Sequence, residues 1–518
     1  MESNAALRRC QPPDALDYGA AFCIPLLIIA GFCTVNTQLV HWFLAPLFAC
    51  GVLVSVDAVR WLRARMDTYD PKGLIGLIGV HFFLVAPLLV AHYDPERVND
   101  VYVSDWKFWL GAMGGLNAAG LIGYQLVQRW AARGPARSGK RRWALNPDTA
   151  SVVILVVLVL AIAAHAIVLS RMGGLAGYVT RRTYSDVRVG ADTRGLGPLM
   201  ALGRSIPILV VILLTTWRYR RLQRSSNLIM VNTLMILAIA AQVFVAGLTG
   251  SRGATVWLLF WTVGIAHFFW RRIPVAWVVI GMVPLLAFMY VYSFYKNVGS
   301  RVLELAEGRT ARVSLESETR RTFTGMLVGD LSRADIQAGA LKVLYDGPWS
   351  YRLRYGATYP TAIVPLIPRA LMPEKSESGK VIAGTEMFTG PGSYAELGRI
   401  LYFGGGRRMT SVYGLAGEAM LNFGALGVVP AFAIFGFITG RARRRILSYS
   451  VGDARLLTAP FVSMALLLLL THDLDNLAQQ ALFNWVVPAT ILFFVSTKIP
   501  QRAAAPWPAV PGVVPSSA

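Results

Sequence analysis

The stretch from Gly414 to Gly424 holds a single carboxylate, Glu418, among mostly apolar and small residues. Burying an acidic side chain inside or at the start of a membrane-spanning run is costly, so such a residue is a candidate for function. Glu418 could accept a proton as a general base, or it could be the counter-ion of an arginine. Asp335, two residues after Arg333, is the second candidate base, although its position also fits a solvated helix face.

Several cations lie on the same side of the predicted bundle as these carboxylates. Arg252 follows Gly250-Ser251 and precedes Gly253 at the start of an apolar run. Helix N-terminal amides and an arginine together suit a phosphate, whereas the alternative is an arginine that snorkels at the helix end. The other candidates for binding an anionic ligand, rather than forming surface ion pairs, are Arg181, Arg182, Arg333, Arg369 and Lys375.

A divalent cation has one weak candidate site. His472, Asp473 and Asp475 stand together at a predicted external turn, but polar turns between helices have the same composition. The four cysteines all fall within the first 50 residues, which indicates neither a disulfide framework nor a cysteine-rich zinc site. Without a phosphate loop, a dinucleotide fingerprint or a zinc-protease helix, we expect no cofactor and no bound metal.

The composition defines the class of protein that must position these residues. Only 15% of the 518 residues are charged and 55% are hydrophobic, with a mean hydropathy of +0.50. A soluble protein would have about 25% charged residues, so the chain is predicted to be an all-α polytopic membrane protein. The net charge of +22 comes mainly from arginines beside apolar runs, which indicates membrane topology rather than nucleic-acid binding.

Apolar windows of about 20 residues predict about twelve membrane-spanning helices. They lie near residues 18–36, 39–59, 72–92, 106–128, 150–170, 198–216, 228–249, 252–270, 274–296, 413–440, 456–471 and 477–497. Every even-numbered span is followed by arginine or lysine, as in Arg441 and Arg443 after the tenth. The positive-inside rule then predicts cytoplasmic termini and an extracytoplasmic position for the long segment after the ninth span.

The spans divide the chain into four parts. Residues 1–296 would form an N-terminal transmembrane bundle, 297–412 a large extracytoplasmic loop, 413–500 a C-terminal bundle, and 501–518 a disordered cytoplasmic tail. Within the loop, helical spacing from Leu331 to Tyr345 predicts a surface helix capped by Asp330 and displaying Arg333 and Lys342. Four prolines between residues 360 and 373 predict an interfacial or re-entrant segment that brings Arg369 and Lys375 near the lipid headgroups.

The order of several motifs resembles the Wzy-type polymerases of O-antigen and exopolysaccharide. The motifs are Gly250–Gly253, Arg333-x-Asp335, Gly356–Pro360, Ile367–Lys375, Thr410-Ser411 and Gly417–Gly424. The resemblance covers about residues 170 to 440 and includes the single large loop. It implies a GT-C-like glycosyltransferase of the bacterial inner membrane, with the loop in the periplasm.

The resemblance implies a lipid-carrier-dependent reaction. Such an enzyme transfers a growing glycan from undecaprenyl pyrophosphate to a new lipid-linked repeat unit, alongside a flippase and a chain-length regulator. The six cations Arg181, Arg182, Arg252, Arg333, Arg369 and Lys375 would then bind pyrophosphate, with Arg252 also stabilising developing charge. Glu418 or Asp335 would accept the proton. The alternatives are an O-antigen ligase with the same donor, a lipid-linked oligosaccharide flippase or transporter, and a sensor or assembly protein.

Overall fold

Helices dominate the part of the chain that the structure describes. The computed structural model describes residues 12–93, 105–133, 141–174, 195–223, 228–248, 252–298, 316, 322–368, 371–372, 378–393, 411–450 and 452–500. Within these residues, eight helices are long and apolar enough to cross a membrane, and three shorter helices are also apolar. The chain is therefore an all-α, multi-pass membrane protein, as its composition predicts.

The described helices fall into two groups, one on each side of the start of the long loop. Before the long loop they are α1 Ala15–Val35, α2 Leu44–Leu62, α3 Pro71–Tyr93, α4 Trp106–Ala132, α5 Pro147–Arg171, α6 Gly197–Arg204, α7 Ile206–Gln223, α8 Leu228–Leu248, α9 Arg252–Phe269 and α10 Val275–Val298. From the loop onward they are α11 Ala334–Asp346, α12 Gly379–Thr389, α13 Gly414–Phe423, α14 Val428–Ser448, α15 Ala459–Thr471 and α16 Leu474–Val495.

The predicted tenth span, 413–440, is wrong as a single helix. The chain breaks at Gly424, whose φ of +66° is a conformation that glycine adopts at little cost. A short 3₁₀ turn, Ala425–Gly427, then leads into α14. Glu418 therefore lies on α13, a separate short helix that precedes the candidate membrane span Ala425–Ser448.

Helix α4 packs extensively against α14, and small residues allow the two backbones to approach. Tyr124 on α4 stacks on Phe435 of α14 with ring centroids 5.3 Å apart. A Cβ atom added at Gly436 would lie 2.5 Å from the backbone oxygen of Tyr124. Gly115, on the same α4 helix, has nothing within 4 Å of its added Cβ atom.

Gly436→Ala should lower the thermal stability of the purified protein, because the two helix backbones must separate to admit the methyl group. Overpacking of this kind costs about 1–3 kcal/mol. Gly115→Ala is the matched control and should melt at the wild-type temperature or slightly above it, since alanine favours helix. Equal melting temperatures for the two variants would contradict the observed contact.

Two buried cores both contain buried residues of α15. The first core also joins α2, α3, α4, α10, α11, α12, α13 and α14, and the second also joins α5, α7, α8, α9 and α16. Leu467 and Leu470 of α15 pack in the first core, whereas Met464 and Leu468 pack in the second. The C-terminal end of α15 is therefore held on both sides, and the residues that follow it are placed rigidly.

The loop helix α11 exists, but two expectations about it are wrong. Asp330 does not cap it, because Asp330 ends a separate turn of π-helix, Met326–Asp330, and Arg333 occupies the cap position. Arg333 is also buried rather than displayed. The apolar face of α11 packs on the bundle, where Ala338 joins Leu84 and Leu88 of α3.

Basic residues that follow the apolar helices form ion pairs, and some of them belong to a small two-stranded sheet. Arg443 binds Asp70 through two nitrogens, with Nη2 2.7 Å from Oδ2, and Lys72 Nζ lies 3.1 Å from Asp57 Oδ1. Two strands, β1 Arg141–Leu145 and β2 Ser496–Pro500, pair in antiparallel orientation. Part of the positive charge that follows the apolar helices is therefore neutralised by carboxylates within the protein.

Candidate functional site

Three separate parts of the chain meet at the Glu418 carboxylate. The Thr358 hydroxyl donates a hydrogen bond to Oε1 at 3.0 Å, and the backbone amide of Leu474 donates to Oε2 at 2.8 Å. Thr358 begins a short helical turn in the long loop, and Leu474 begins α16. The side chain of Glu418 is thus fixed from two sides and only 4% exposed.

Asn422, one turn after Glu418 on α13, orders the loop around it. Its Oδ1 atom accepts from the amide of Gly356 at 3.0 Å, and its Nδ2 atom donates to the Thr358 hydroxyl at 2.7 Å. Nδ2 also donates to the backbone oxygen of Glu418 at 2.8 Å, so Asn422 ties the loop to the helix. The Thr358 hydroxyl accepts a hydrogen bond from Asn422, so its own proton is directed at the Glu418 carboxylate.

Lys380 joins two further carboxylates beside Glu418. Its Nζ atom lies 3.0 Å from Asp473 Oδ2 and 3.6 Å from Asp475 Oδ2. Asp473 Oδ1 accepts from the amides of Tyr413 and Gly414 at 2.8 and 2.9 Å, which fixes the start of α13. The Ser378 hydroxyl, which caps α12, donates to Asp475 Oδ2 at 2.9 Å.

The cluster of Glu418, Asp473, Asp475 and Lys380 carries more carboxylates than cations. Burial, followed by the nearby charge of Asp473, raises the pKa of Glu418 to about 7. Burial alone would lower the pKa of Lys380, but Asp473 and Asp475 raise it, so this lysine is charged. A carboxylate with a pKa near neutrality is well matched to accept a proton under physiological conditions.

Asp335 on α11 is half-buried with its Oδ2 atom shielded from solvent, so it is not on a solvated helix face. Burial raises the pKa of Asp335 to about 6, and its Oδ2 atom has no hydrogen-bond partner among the described residues. The side chain that connects α11 to α13 is Gln337, whose amide donates to the backbone oxygen of Tyr413 at 2.8 Å. Asp335 therefore lies on the supporting helix, whereas Glu418 lies at the meeting point of the three segments.

Arg333 contributes positive charge to this region. It donates to the backbone oxygens of Ser332 and Gly329, the latter at 3.3 Å. Burial, with the charges of Arg333 and Lys380, lowers the pKa of His472 to about 3, so His472 is neutral. Arg333 is thus a buried cation close enough to affect His472, and its role in binding an anion stays a prediction.

The side chains of the remaining predicted cations fall outside the described parts of the structure. Arg252 begins α9, as the sequence predicts, but its side chain is not among those described. Arg181, Arg182, Arg369 and Lys375 lie outside the described residues, as does the tail 501–518. The roles of these cations stay predictions.

Lys380 lies against both carboxylates of the weak metal site. The ammonium group lies against both Asp473 and Asp475, and His472 Nδ1 is 2.9 Å from the hydroxyl of its neighbour Thr471. Within the described ranges, His, Cys, Asp and Glu form no group of three or more with metal-binding geometry.

Two residues of the site were missed in the sequence. Lys380 and Thr358 each lie more than fifty positions from the carboxylates that they contact. A local signal existed for Lys380, because Ser378 and the apolar spacing after it indicate the start of a helix in the loop. Thr358 lies inside the Gly356–Pro360 motif, but the motif does not say which residue the hydroxyl contacts.

Asn422→Ala should lower stability by about 1–3 kcal/mol, because the amide of Gly356 and the backbone oxygen of Glu418 lose their partner. Asn484→Ala is the control, since the Nδ2 atom of that buried asparagine donates to Gln480 on its own helix. The two variants can be compared by thermal unfolding in detergent. An Asn422 variant no less stable than the Asn484 variant would contradict the role assigned to Asn422.

Comparison of the chain with known family models, with curated proteins and with solved structures finds no match.

Proposed function

We propose that the chain is a lipid-carrier-dependent glycosyltransferase that polymerises undecaprenyl-pyrophosphate-linked oligosaccharide repeat units. One observation carries the proposal. Two motifs that resemble the Wzy-type polymerases, Gly356–Pro360 and Gly417–Gly424, meet through the hydrogen bond of 3.0 Å from Thr358 to Glu418. Motifs that are separate in the sequence thus surround a carboxylate whose pKa of about 7 suits proton transfer.

In the proposed reaction, the hydroxyl of the acceptor repeat unit attacks the anomeric carbon of the growing glycan. A new glycosidic C–O bond forms as the bond between that carbon and the pyrophosphate breaks. Glu418 accepts the proton of the attacking hydroxyl, and the leaving pyrophosphate departs with its lipid. Arg333 lies near enough to His472 to affect its pKa, and it would stabilise negative charge on the leaving group.

The cellular setting belongs to the same proposal. Twelve spans in a GT-C-like arrangement would place both termini in the cytoplasm and the long loop at the periplasmic face of the inner membrane. Arg181, Arg182, Arg252, Arg369 and Lys375 would complete the pyrophosphate site, with no nucleotide, nucleic acid or metal required. A flippase would supply the lipid-linked units, and a chain-length regulator would limit their extension.

The test is the surface polysaccharide of a strain that lacks the gene, compared with the same strain carrying the wild-type gene. A polymerase predicts single-repeat products in the first strain and a ladder of chain lengths in the second. Purified protein in liposomes should also convert a lipid-linked repeat unit into longer lipid-linked chains. Long chains that stay on the carrier lipid in the deletion strain would identify a ligase, and unflipped repeat units would identify a flippase.

A further inference from the structure

The loop segment from Leu353 to Met372 has an unusual surface. Its described exposed residues are all apolar or aromatic, and Tyr355 and Leu371 are each 78% exposed. Ile363 is 57% exposed, between the short turns Thr358–Thr361 and Val364–Leu366. A loop that faced water throughout would present charged or polar side chains at such positions.

Polar groups between Arg354 and Thr358 of the same segment contact the rest of the protein. The amides of Arg354 and Tyr355 donate to the backbone oxygens of Leu421 and Asn422 at 3.1 and 2.9 Å. The Arg354 guanidinium pairs with Glu386 of α12. The buried Thr358 contacts the Glu418 carboxylate. The segment is therefore held by its polar groups against α13, with its apolar side chains turned outward.

The outward surface continues onto a candidate membrane span. The Tyr359 ring lies 6.5 Å from the ring of Phe423, the last residue of α13. Phe423 is itself exposed, and Leu426, at the start of the span Ala425–Ser448, is 87% exposed. Outward apolar side chains of such a span face lipid, so the exposed side chains of the loop join a lipid-facing surface.

We infer that Tyr355, Ile363, Leu371, Met372, Phe423 and Leu426 form a membrane-contacting surface, the apolar platform, that lies on the lipid bilayer beside the Glu418 cluster. Non-helical backbone is tolerated at the membrane where protein satisfies its polar groups, and α13 accepts hydrogen bonds from the amides of Arg354, Tyr355 and Gly356. Bilayer lipid, rather than a second protein, is the occupant because the surface is continuous with the span.

The inference does not depend on the chemistry proposed for Glu418, but it would place that carboxylate at the level of the lipid headgroups.

The platform can be tested by spin labelling of the full chain in lipid nanodiscs. Single cysteines would be introduced as I363C and L371C, in a chain whose Cys10, Cys23, Cys33 and Cys50 are replaced by alanine. L426C is the lipid-facing reference. The exposed Ser350, which precedes the segment, gives the water-facing reference as S350C. Each nitroxide would be exposed to oxygen, which concentrates in lipid, and to a water-soluble nickel chelate.

The labels at 363 and 371 should collide severalfold more with oxygen than with the nickel chelate, as the label at 426 should. The label at 350 should show the reverse preference. Labels at 363 and 371 that behave like the one at 350 would overturn the inference, because the segment would then lie in water. Labels shielded from both reagents would also overturn it, since a second copy or another protein would then cover the surface. Neither readout depends on polymer synthesis, so the outcome is separate from that of the proposed function.

Discussion

Glu418→Gln should abolish chain extension while the protein still inserts and folds. Glutamine has nearly the same shape and can still accept the hydrogen bond from the Leu474 amide, but it cannot take a proton from an acceptor hydroxyl. Loss of a positioned base lowers the rate by about 10²- to 10⁴-fold. The measurement is the length distribution of lipid-linked glycan formed by the variant in liposomes, with the amount of folded protein matched to wild type.

The pH dependence gives this prediction a second readout. Because Glu418 must be ionised to act as a base, wild-type activity should rise as the pH passes through about 7. The free energy of unfolding, in contrast, should fall as the pH rises. The folded-state pKa is raised from 4.5 to about 7, so the folded protein favours the protonated carboxyl group. Its contribution to stability is complete below about pH 4.5 and is lost as the pH rises through about 7, a change of about 3 kcal/mol.

The glutamine variant removes this titration, so it should lose less stability than wild type between about pH 5 and about pH 8. Glu386→Gln is the matched control, because Glu386 lies on the loop helix α12 and pairs with Arg354 outside the cluster. That variant should retain polymer synthesis. A fully active Glu418→Gln enzyme would exclude Glu418 as the proton acceptor and leave Asp335 as the candidate.

Lys380→Met should be the most destabilising single change in the cluster. Methionine fills much of the lysine volume but leaves the buried Asp473 and the half-buried Asp475 without their cation. Breaking a buried ion pair from one side costs about 3–5 kcal/mol. We expect a large fall in the melting temperature and weaker attachment of α12 to the start of α16. Thermal unfolding in detergent and limited proteolysis of the loop would measure these two effects.

Two further variants test whether the loss of the lysine charge causes the predicted loss of stability. The double variant Lys380→Met with Asp473→Asn removes both charges of the closer pair and should recover part of the lost stability. Lys107→Met is the surface control, since Lys107 binds the backbone oxygen of Gln38 at an exposed position, and we expect a change within about 0.5 kcal/mol. A double variant no more stable than Lys380→Met alone would assign the loss to packing instead.

The sequence alone could identify a site residue where burial of that residue type is costly. Glu418 could be singled out because a carboxylate among apolar residues is costly wherever the neighbouring chain lies. Its partners could not be predicted, because Thr358 and Leu474 reach it through the packing of a loop and a helix start from distant parts of the chain. The expected counter-ion was an arginine, whereas the cation in the cluster is Lys380.

Helix positions were likewise easier to predict than helix ends. Hydropathy located apolar helices such as α5 and α15, since their composition is uniform. It merged α13 and α14, because a single glycine in an apolar run does not by itself predict a helix end, whereas the positive φ of Gly424 ends α13. Asp330 was likewise predicted to cap α11, but it is the last residue of a π-helical turn instead.

The small sheet of β1 and β2 has a consequence for biogenesis. The Thr497 hydroxyl donates to the backbone oxygen of Ala144, 353 positions earlier in the chain. Membrane helices are inserted in order during synthesis, so β1 must wait with an open edge until almost every span has been made. Trp143 also packs on Phe493, with ring centroids 5.6 Å apart. Closure of this sheet is therefore a late step of folding, and it links the first half of the chain to the last.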